Sequence, residues 1–108
     1  MKKMEITINA KYLTGEVDVR RSRYLADKSI ALALFQEGMK EMTPTVCLVG
    51  NVPPENHVWI KDWSENEGIR DELIRTGVIG PVVGQCQTGH ATATLHELVA
   101  DLYDESGF

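Results

Sequence analysis

Apolar and polar residues alternate in several stretches of the chain, and this two-residue period predicts β-strands with one buried face. The predicted strands cover residues 4–9, 16–20, 29–36, 45–49 and 57–61. The third is apolar on both faces, as in a central strand, and its Ala31 and Ala33 face leaves room for a covering helix. In the fifth strand, Val58 and Ile60 share one face and Trp59 lies on the other.

A change to helical periodicity follows at residues 65–76. Ser64 and Glu67 have the spacing of a capping box, in which each side chain accepts a hydrogen bond from the other residue's backbone N–H. Gly77 is a typical left-handed stop, whereas Gly68 would weaken the helix interior by about 1 kcal/mol. The apolar stripe of this helix consists of Ile69, Leu73 and Ile74.

The C-terminal third contains weaker signals. Glycines and prolines at residues 78–84 indicate a connection, and two short strands are predicted at 85–87 and 91–95, on either side of Thr88-Gly89. A second capping-box match, Thr94 with Glu97, precedes apolar residues at helical spacing and predicts a short helix at about 95–103. The predicted fold is a single α+β domain over residues 1–108, with an antiparallel sheet of about five to six strands and two helices.

Charge is distributed unevenly along the chain. The net charge is −5, yet residues 1–28 carry +3 and residues 29–108 carry −8. The chain has no apolar run long enough for a membrane helix and no secretory signal pattern, so a cytoplasmic protein that does not bind membranes is expected.

Two sets of charged residues are candidates for binding. Clustered carboxylates near the predicted helix could bind a basic surface of another protein, such as a groove that normally binds nucleic-acid phosphates. The alternative is that they form a solvated helix face. This set, with one tryptophan, is Asp62, Trp63, Glu65, Glu67, Asp71 and Glu72. A secondary basic patch, Arg20, Arg21 and Arg23, could contact phosphate beside Tyr24, or could pair with the acidic half of the same protein. A pI of about 5.1 argues against direct binding of nucleic acid.

Residues that support catalysis or cofactor binding are scattered. Cys47 and Cys86 lie in apolar runs and are expected to be reduced, buried thiols. The three histidines do not cluster with them at zinc-ligand spacing, and no phosphate-binding glycine motif is present. We therefore expect no enzyme activity, no metal and no cofactor.

Residues 60–68, Ile-Lys-Asp-Trp-Ser-Glu-Asn-Glu-Gly, resemble a family of small uncharacterised bacterial proteins. The resemblance includes the Gly77 exit, the Pro81 and Gly84 positions and Thr88-Gly89, and covers roughly residues 29–98. Members of that family are carried on plasmids, integrative elements and phages. The resemblance implies an accessory protein of a mobile element and assigns no catalytic residue.

Three functional hypotheses follow. The first is an acidic, non-enzymatic inhibitor of a host defence complex, of the anti-CRISPR or anti-restriction type, that binds a basic protein surface. The second is a small-ligand protein or enzyme with a pocket between helix 65–76 and the sheet, using Cys86, His90 and Asp62. The third is a structural homodimer, joined through the first strand or through the apolar stripe of the C-terminal helix.

Overall fold

The computed structural model describes residues 4–105 and is built mainly from β-strands. Half of the residues lie in strands and a tenth in helices. The strands are β1 (Met4–Asn9), β2 (Thr14–Arg23), β3 (Ile30–Gln36), β4 (Met39–Met42), β5 (His57–Ile60), β6 (Ile79–Thr88) and β7 (Ala91–Leu98). They form one sheet of four strands and one of three, so the predicted α+β class with a single sheet and two helices is wrong.

The first sheet has the order β1-β2-β3-β4, and all its strand pairs are antiparallel. The alternation correctly predicted β1 and β3, while β2 continues beyond the predicted residues 16–20 at both ends. The predicted strand at 45–49 is wrong, because in that segment Thr45 makes only an isolated bridge to Ile60. The strand after β3 begins earlier: Glu37 and Gly38 form a turn with positive φ at both residues, and β4 follows at once.

The second sheet has the order β5-β7-β6, again antiparallel. The strands predicted at 85–87 and 91–95 are confirmed but are longer than predicted, and they pair as a hairpin with Thr88 opposite Ala91. The glycines and proline at residues 78–84 do not form a separate connection. Gly80, Pro81 and Gly84 all belong to β6, where register shifts between Ile79 and Gly84 accommodate them.

The predicted C-terminal helix at about 95–103 is wrong, because residues up to Leu98 belong to β7. Thr94 pairs with Ile60 on one side and with Gln85 on the other, so it cannot cap a helix. Leu95 and Leu98 have the spacing of one helical turn, but in a strand they face opposite sides of the sheet. Leu95 packs near Trp59, whereas Leu98 lies in the main core.

The predicted helix at 65–76 is also shorter and begins differently. A 3-10 turn covers Ser64–Asn66, and the α-helix proper, α1, is Ile69–Arg75. Ser64 has a φ of 57° and makes no side-chain cap, so the predicted capping box is wrong. Gly68 has a φ of 91° and precedes the helix, which explains the glycine there without any cost to a helix interior.

The end of α1 follows the prediction. Gly77 has a φ of 81°, its N–H donates to the Ile74 carbonyl, and the Val78 N–H donates to the Leu73 carbonyl. These two bonds form a Schellman motif, which satisfies the last carbonyls of the helix.

The main core lies between the inner faces of the two sheets and is closed by α1. Ile69 and Leu73 of α1 are fully buried against residues of both sheets, including Ile8, Leu34 and Ile60. A smaller cluster around Leu48, Trp59 and Ala93 covers the opposite face of the second sheet. The predicted faces of residues 57–61 are confirmed, because Val58 and Ile60 enter the main core and Trp59 the smaller cluster.

One histidine is buried completely within β7. The Nδ1 of His96 lies 2.8 Å from the Gly80 carbonyl, and its Nε2 lies 2.8 Å from the Thr94 hydroxyl. A carbonyl can only accept, so Nδ1 carries the proton and Nε2 accepts from Thr94 in the neutral ring. Desolvation of the charged form by burial lowers the pKa of His96 from its usual 6.5.

We expect this histidine to make the fold less stable in mild acid. The folded state resists protonation of His96, so its contribution is complete above about pH 6.5 and declines as the pH falls toward the lowered pKa. Urea unfolding at about pH 7.5 and about pH 5.5 should show a loss of stability at the lower pH. His96→Gln should be less stable than wild type at the higher pH and should show a smaller loss. An equal loss in both proteins would contradict this assignment.

Candidate functional site

Asp62, the first acidic candidate, fixes the start of α1. One carboxylate oxygen accepts the Gly68 N–H at 3.0 Å and the other accepts the Arg70 N–H at 2.6 Å. Backbone N–H groups in the first turn of a helix have no partner within the helix, so a carboxylate there stabilises it. Asp62 therefore performs the capping that Ser64 was predicted to perform, from outside the helical segment.

Glu72 connects α1 to the first sheet. Its carboxylate accepts the Asn9 N–H at 2.8 Å and pairs with Arg75 at 2.9 Å, and Arg75 in turn donates to the Thr7 carbonyl at 2.8 Å. Hydrogen bonding by Arg75, followed by the Asn9 N–H, lowers the pKa of Glu72. These contacts occupy the outer edge of β1, where one route to a homodimer was predicted.

The other acidic candidates lie on the surface, and each has a basic neighbour. Glu65 is 3.6 Å from Lys61, Glu67 is 3.5 Å from Lys11, and Asp71 is 3.6 Å from Arg70. Trp63 is half-buried and packs against the cluster around Trp59. We call Glu65, Glu67 and Asp71 the helical surface; it is exposed, but its charge is largely balanced locally.

The basic patch is also paired within the chain. The Asp104 carboxylate accepts hydrogen bonds from Arg21 Nε at 2.6 Å and from Arg23 Nε at 3.0 Å. The Glu105 N–H donates to the Arg21 carbonyl. Desolvation raises the pKa of Asp104, but hydrogen bonds from Arg23 and Arg21 outweigh it and leave the pKa below its usual value. For Arg21 and Arg23, these contacts agree with the alternative interpretation of the patch, in which it pairs with the acidic half of the same chain.

Arg20, the remaining member of that patch, points to the opposite face of the sheet. Its Nε lies 3.0 Å from the Asp18 carboxylate, and its guanidinium lies 4.3 Å from the centre of the Phe35 ring. These contacts hold Arg20 flat against β2 and β3. The arginine thereby becomes part of a surface that the sequence did not indicate.

That surface is a groove on the outer face of the first sheet, with a volume of about 540 Å³. Phe35 forms part of its floor, and the turn after β3 closes one end. We call it the acidic groove, because its charged residues are four carboxylates and one arginine: Glu5, Glu16, Asp18, Glu37 and Arg20.

Strand register brings these carboxylates together. Glu5 on β1 lies directly opposite Asp18 on β2, and Glu16 holds the diagonal position on the same face. Within residues 4–105, Asp18 is paired with Arg20, whereas Glu5, Glu16 and Glu37 make no ion pair. Three of the four groove carboxylates, those of Glu5, Glu16 and Asp18, thus belong to residues 1–28, whose total charge is positive.

The proposed pocket residues do not line a common space between α1 and the sheets. Asp62 holds the start of α1, Cys86 lies on β6, and His90 lies at the exposed tip of the β6–β7 hairpin. The space between α1 and the sheets is filled by Ile69 and Leu73. Cys47 and Cys86 are free thiols of intermediate burial, so they are less buried than predicted.

Two general features complete the description. Across residues 4–105, no group of three or more His, Cys, Asp or Glu side chains is arranged to hold a metal ion. Neither helical segment in that range has the length and apolar character that a membrane crossing requires.

Comparison with known proteins gives no relative: no family model, no curated protein and no solved structure matches this chain. The resemblance to small proteins of mobile elements therefore stays a prediction from the sequence.

Two aspartates near α1 should respond differently to replacement. Asp62→Ala leaves two backbone N–H groups without their acceptor and should lower the free energy of unfolding by about 1–2 kcal/mol. Asp71→Ala removes the same group from a side chain that is 80% exposed and should change stability by less than about 0.5 kcal/mol. Urea denaturation measures both. Equal losses would show that Asp62 does not cap the helix.

Proposed function

We propose that this protein acts by binding, and that the acidic groove receives a basic segment of a protein partner. The groove carries four carboxylates against one arginine, on a concave surface formed by regular strands. A segment rich in lysine and arginine complements that charge, and electrostatic attraction would also speed its association.

The opposition of Glu5 and Asp18 is the observation that carries the proposal. Like charges directly opposite on neighbouring strands destabilise a sheet. Arg20 partly balances Asp18, but Glu5 and Glu16 have no such partner among the described residues. A positively charged ligand between them would relieve this repulsion, so binding would be favoured by the arrangement that costs stability in the free protein.

The groove is a better candidate than the helical surface for two reasons. Glu65, Glu67 and Asp71 each have a lysine or arginine within 3.6 Å, so a basic ligand would have to displace an existing ion pair. Two other acids of the original set, Asp62 and Glu72, accept backbone hydrogen bonds that hold the fold together.

The floor of the groove is already covered. Arg20 stacks over the ring of Phe35, and both Phe35 and Ala33, the residue opposite Arg20 on β3, are buried. The groove therefore offers a basic ligand its carboxylates rather than an apolar surface.

The proposed biological setting comes from the sequence resemblance. An accessory protein of a mobile element would gain by occupying the basic surface of a host defence complex that processes nucleic acid. Carboxylates spaced along a sheet could take the place of phosphates on such a surface. We propose this class of partner, with the protein in the cytoplasm and acting without a cofactor.

Neutralising the groove should weaken binding without weakening the fold. The probe is a fluorescent peptide rich in lysine and arginine, followed by anisotropy at low salt. Replacing both Glu5 and Glu16 by Gln should reduce affinity roughly three- to tenfold, because two exposed charge contacts are lost. The same variant should be as stable as wild type or slightly more stable, because like-charge repulsion is reduced.

The matched control is the pair Glu65→Gln and Asp71→Asn, which removes the same charge from the helical surface. Its peptide affinity should stay close to that of wild type. An equal loss in both variants would indicate attraction to net charge alone and would contradict the groove as the binding site. In a bacterial lysate, basic nucleic-acid-binding proteins should be captured by wild type and by the control, but not by the groove variant.

A further inference from the structure

The β6–β7 hairpin differs from the rest of the chain in having almost no charge: apart from its histidines, its one acidic or basic residue is Glu97, near the end of β7. Aspartate, glutamate, lysine and arginine are all absent from residues 76–96, although they make up 25% of the whole sequence. The segment nevertheless forms surface: Val82 and Val83 are 41% and 60% exposed, and Gln85 and Gln87 are exposed as well. β6 is therefore an uncharged strand on the surface of an acidic protein.

β6 is also an edge strand, since the second sheet has the order β5-β7-β6. Every second residue of an edge strand directs its backbone N–H and C=O away from the sheet. Among the described residues, no backbone group or side chain of another element bonds to this outer side of β6 between Val83 and Thr88. The strand is thus available for further pairing along about six residues.

The other edges of the two sheets are protected. Arg75 and Glu72 occupy the Thr7 carbonyl and the Asn9 N–H on β1. The chain at residues 44–46 pairs with β5, through the Val46 N–H to Trp59 and the Lys61 N–H to Pro44. β4 has four residues and carries Lys40 and Glu41. Charged side chains, short strand length and covering segments commonly protect edge strands from pairing with another chain. Among residues 4–105, β6 has none of these devices, and its one unfavourable residue for pairing is Pro81 near its start.

We propose that a second copy of this chain pairs with β6, strand to strand and antiparallel. Two identical strands that meet in this way are related by a two-fold axis, so the association closes as a dimer. Each copy carries a net charge of −5, which opposes association wherever acidic surfaces meet. Because β6 has no charged residue, two copies can approach along this strand without that repulsion.

The pairing would join two three-stranded sheets into one sheet of six strands. Val83, Gln85 and Gln87, which are all exposed, would then lie near the two-fold axis, against the same set of residues from the other copy. This contact does not involve the acidic groove, which lies on the other sheet. The dimer therefore neither requires nor excludes the proposed binding of a basic partner.

Light scattering after size exclusion tests the proposal on the full chain. The wild-type mass should rise toward twice that of the monomer as concentration increases from roughly 10 µM to roughly 1 mM. Val83→Lys introduces a charge at the paired edge and should remain monomeric throughout. Val49→Lys, at a loop residue that is 93% exposed, is the matched control and should associate like wild type. Gln85→Lys provides a second edge variant.

Amide hydrogen exchange supplies an independent measurement. Protection of the outward-facing amides within residues 83–88 should increase with protein concentration, whereas the edge of β1 should not change. A wild-type protein that stays monomeric at roughly 1 mM overturns the proposal. So does equal dissociation of the Val83→Lys and Val49→Lys proteins. Protection only after addition of lysate would assign the edge to a different protein and would also overturn it.

Salt separates this proposal from the proposed function. Dimerisation through an uncharged edge should persist or strengthen as salt screens the repulsion between acidic copies. Peptide binding in the acidic groove should weaken over the same range. Loss of one behaviour with retention of the other shows which proposal is wrong.

Discussion

The carboxylate of Asp62 holds the short helix that closes the core between the two sheets. A helix of seven residues is too short to be stable alone in water, so α1 depends on its capping and packing. Asp62 supplies the cap through two backbone N–H groups, and Ile69 and Leu73 supply the packing as fully buried side chains. Without this cap, the element that covers the open side of the core would be less stable.

Buried polar residues complete the connection between the sheets. The Thr45 hydroxyl accepts the Leu32 N–H from β3, and Thr45 is itself bridged to Ile60 of β5. The side-chain amide of Asn66 donates to the carbonyls of Thr43 and Lys61. Within residues 4–105, no buried side-chain nitrogen or oxygen lacks a hydrogen-bond partner, so burying these groups favours the one arrangement of the two sheets in which they are satisfied. Polar contacts thus set the geometry that the apolar core then stabilises.

The sequence predicted those features that depend on neighbours along the chain. Alternation located β1, β3 and β5, and Gly77 marked the end of α1, because side-chain direction and positive φ are local properties. The cap at Asp62 acts on residues six and eight positions away and has no simple spacing signal. The helical spacing around Leu95 and Leu98 was misleading, because β7 is the central strand of its sheet and has apolar neighbours on both faces. The acidic groove required register, which places Glu5 against Asp18 from separate strands.

The carboxylates of this protein separate by what they contact. Those of Asp62, Glu72 and Asp104 are bound to backbone N–H groups or to arginines, so the folded chain already uses their charge. The carboxylates of Glu5 and Glu16 lie near that of Asp18, and among the described residues neither makes an ion pair. Their charges therefore do not stabilise the fold. Residues that oppose stability persist in regular strands when another interaction favours them. The strongest case for function therefore rests on the acids that the fold does not need, rather than on the segment where acids are most frequent.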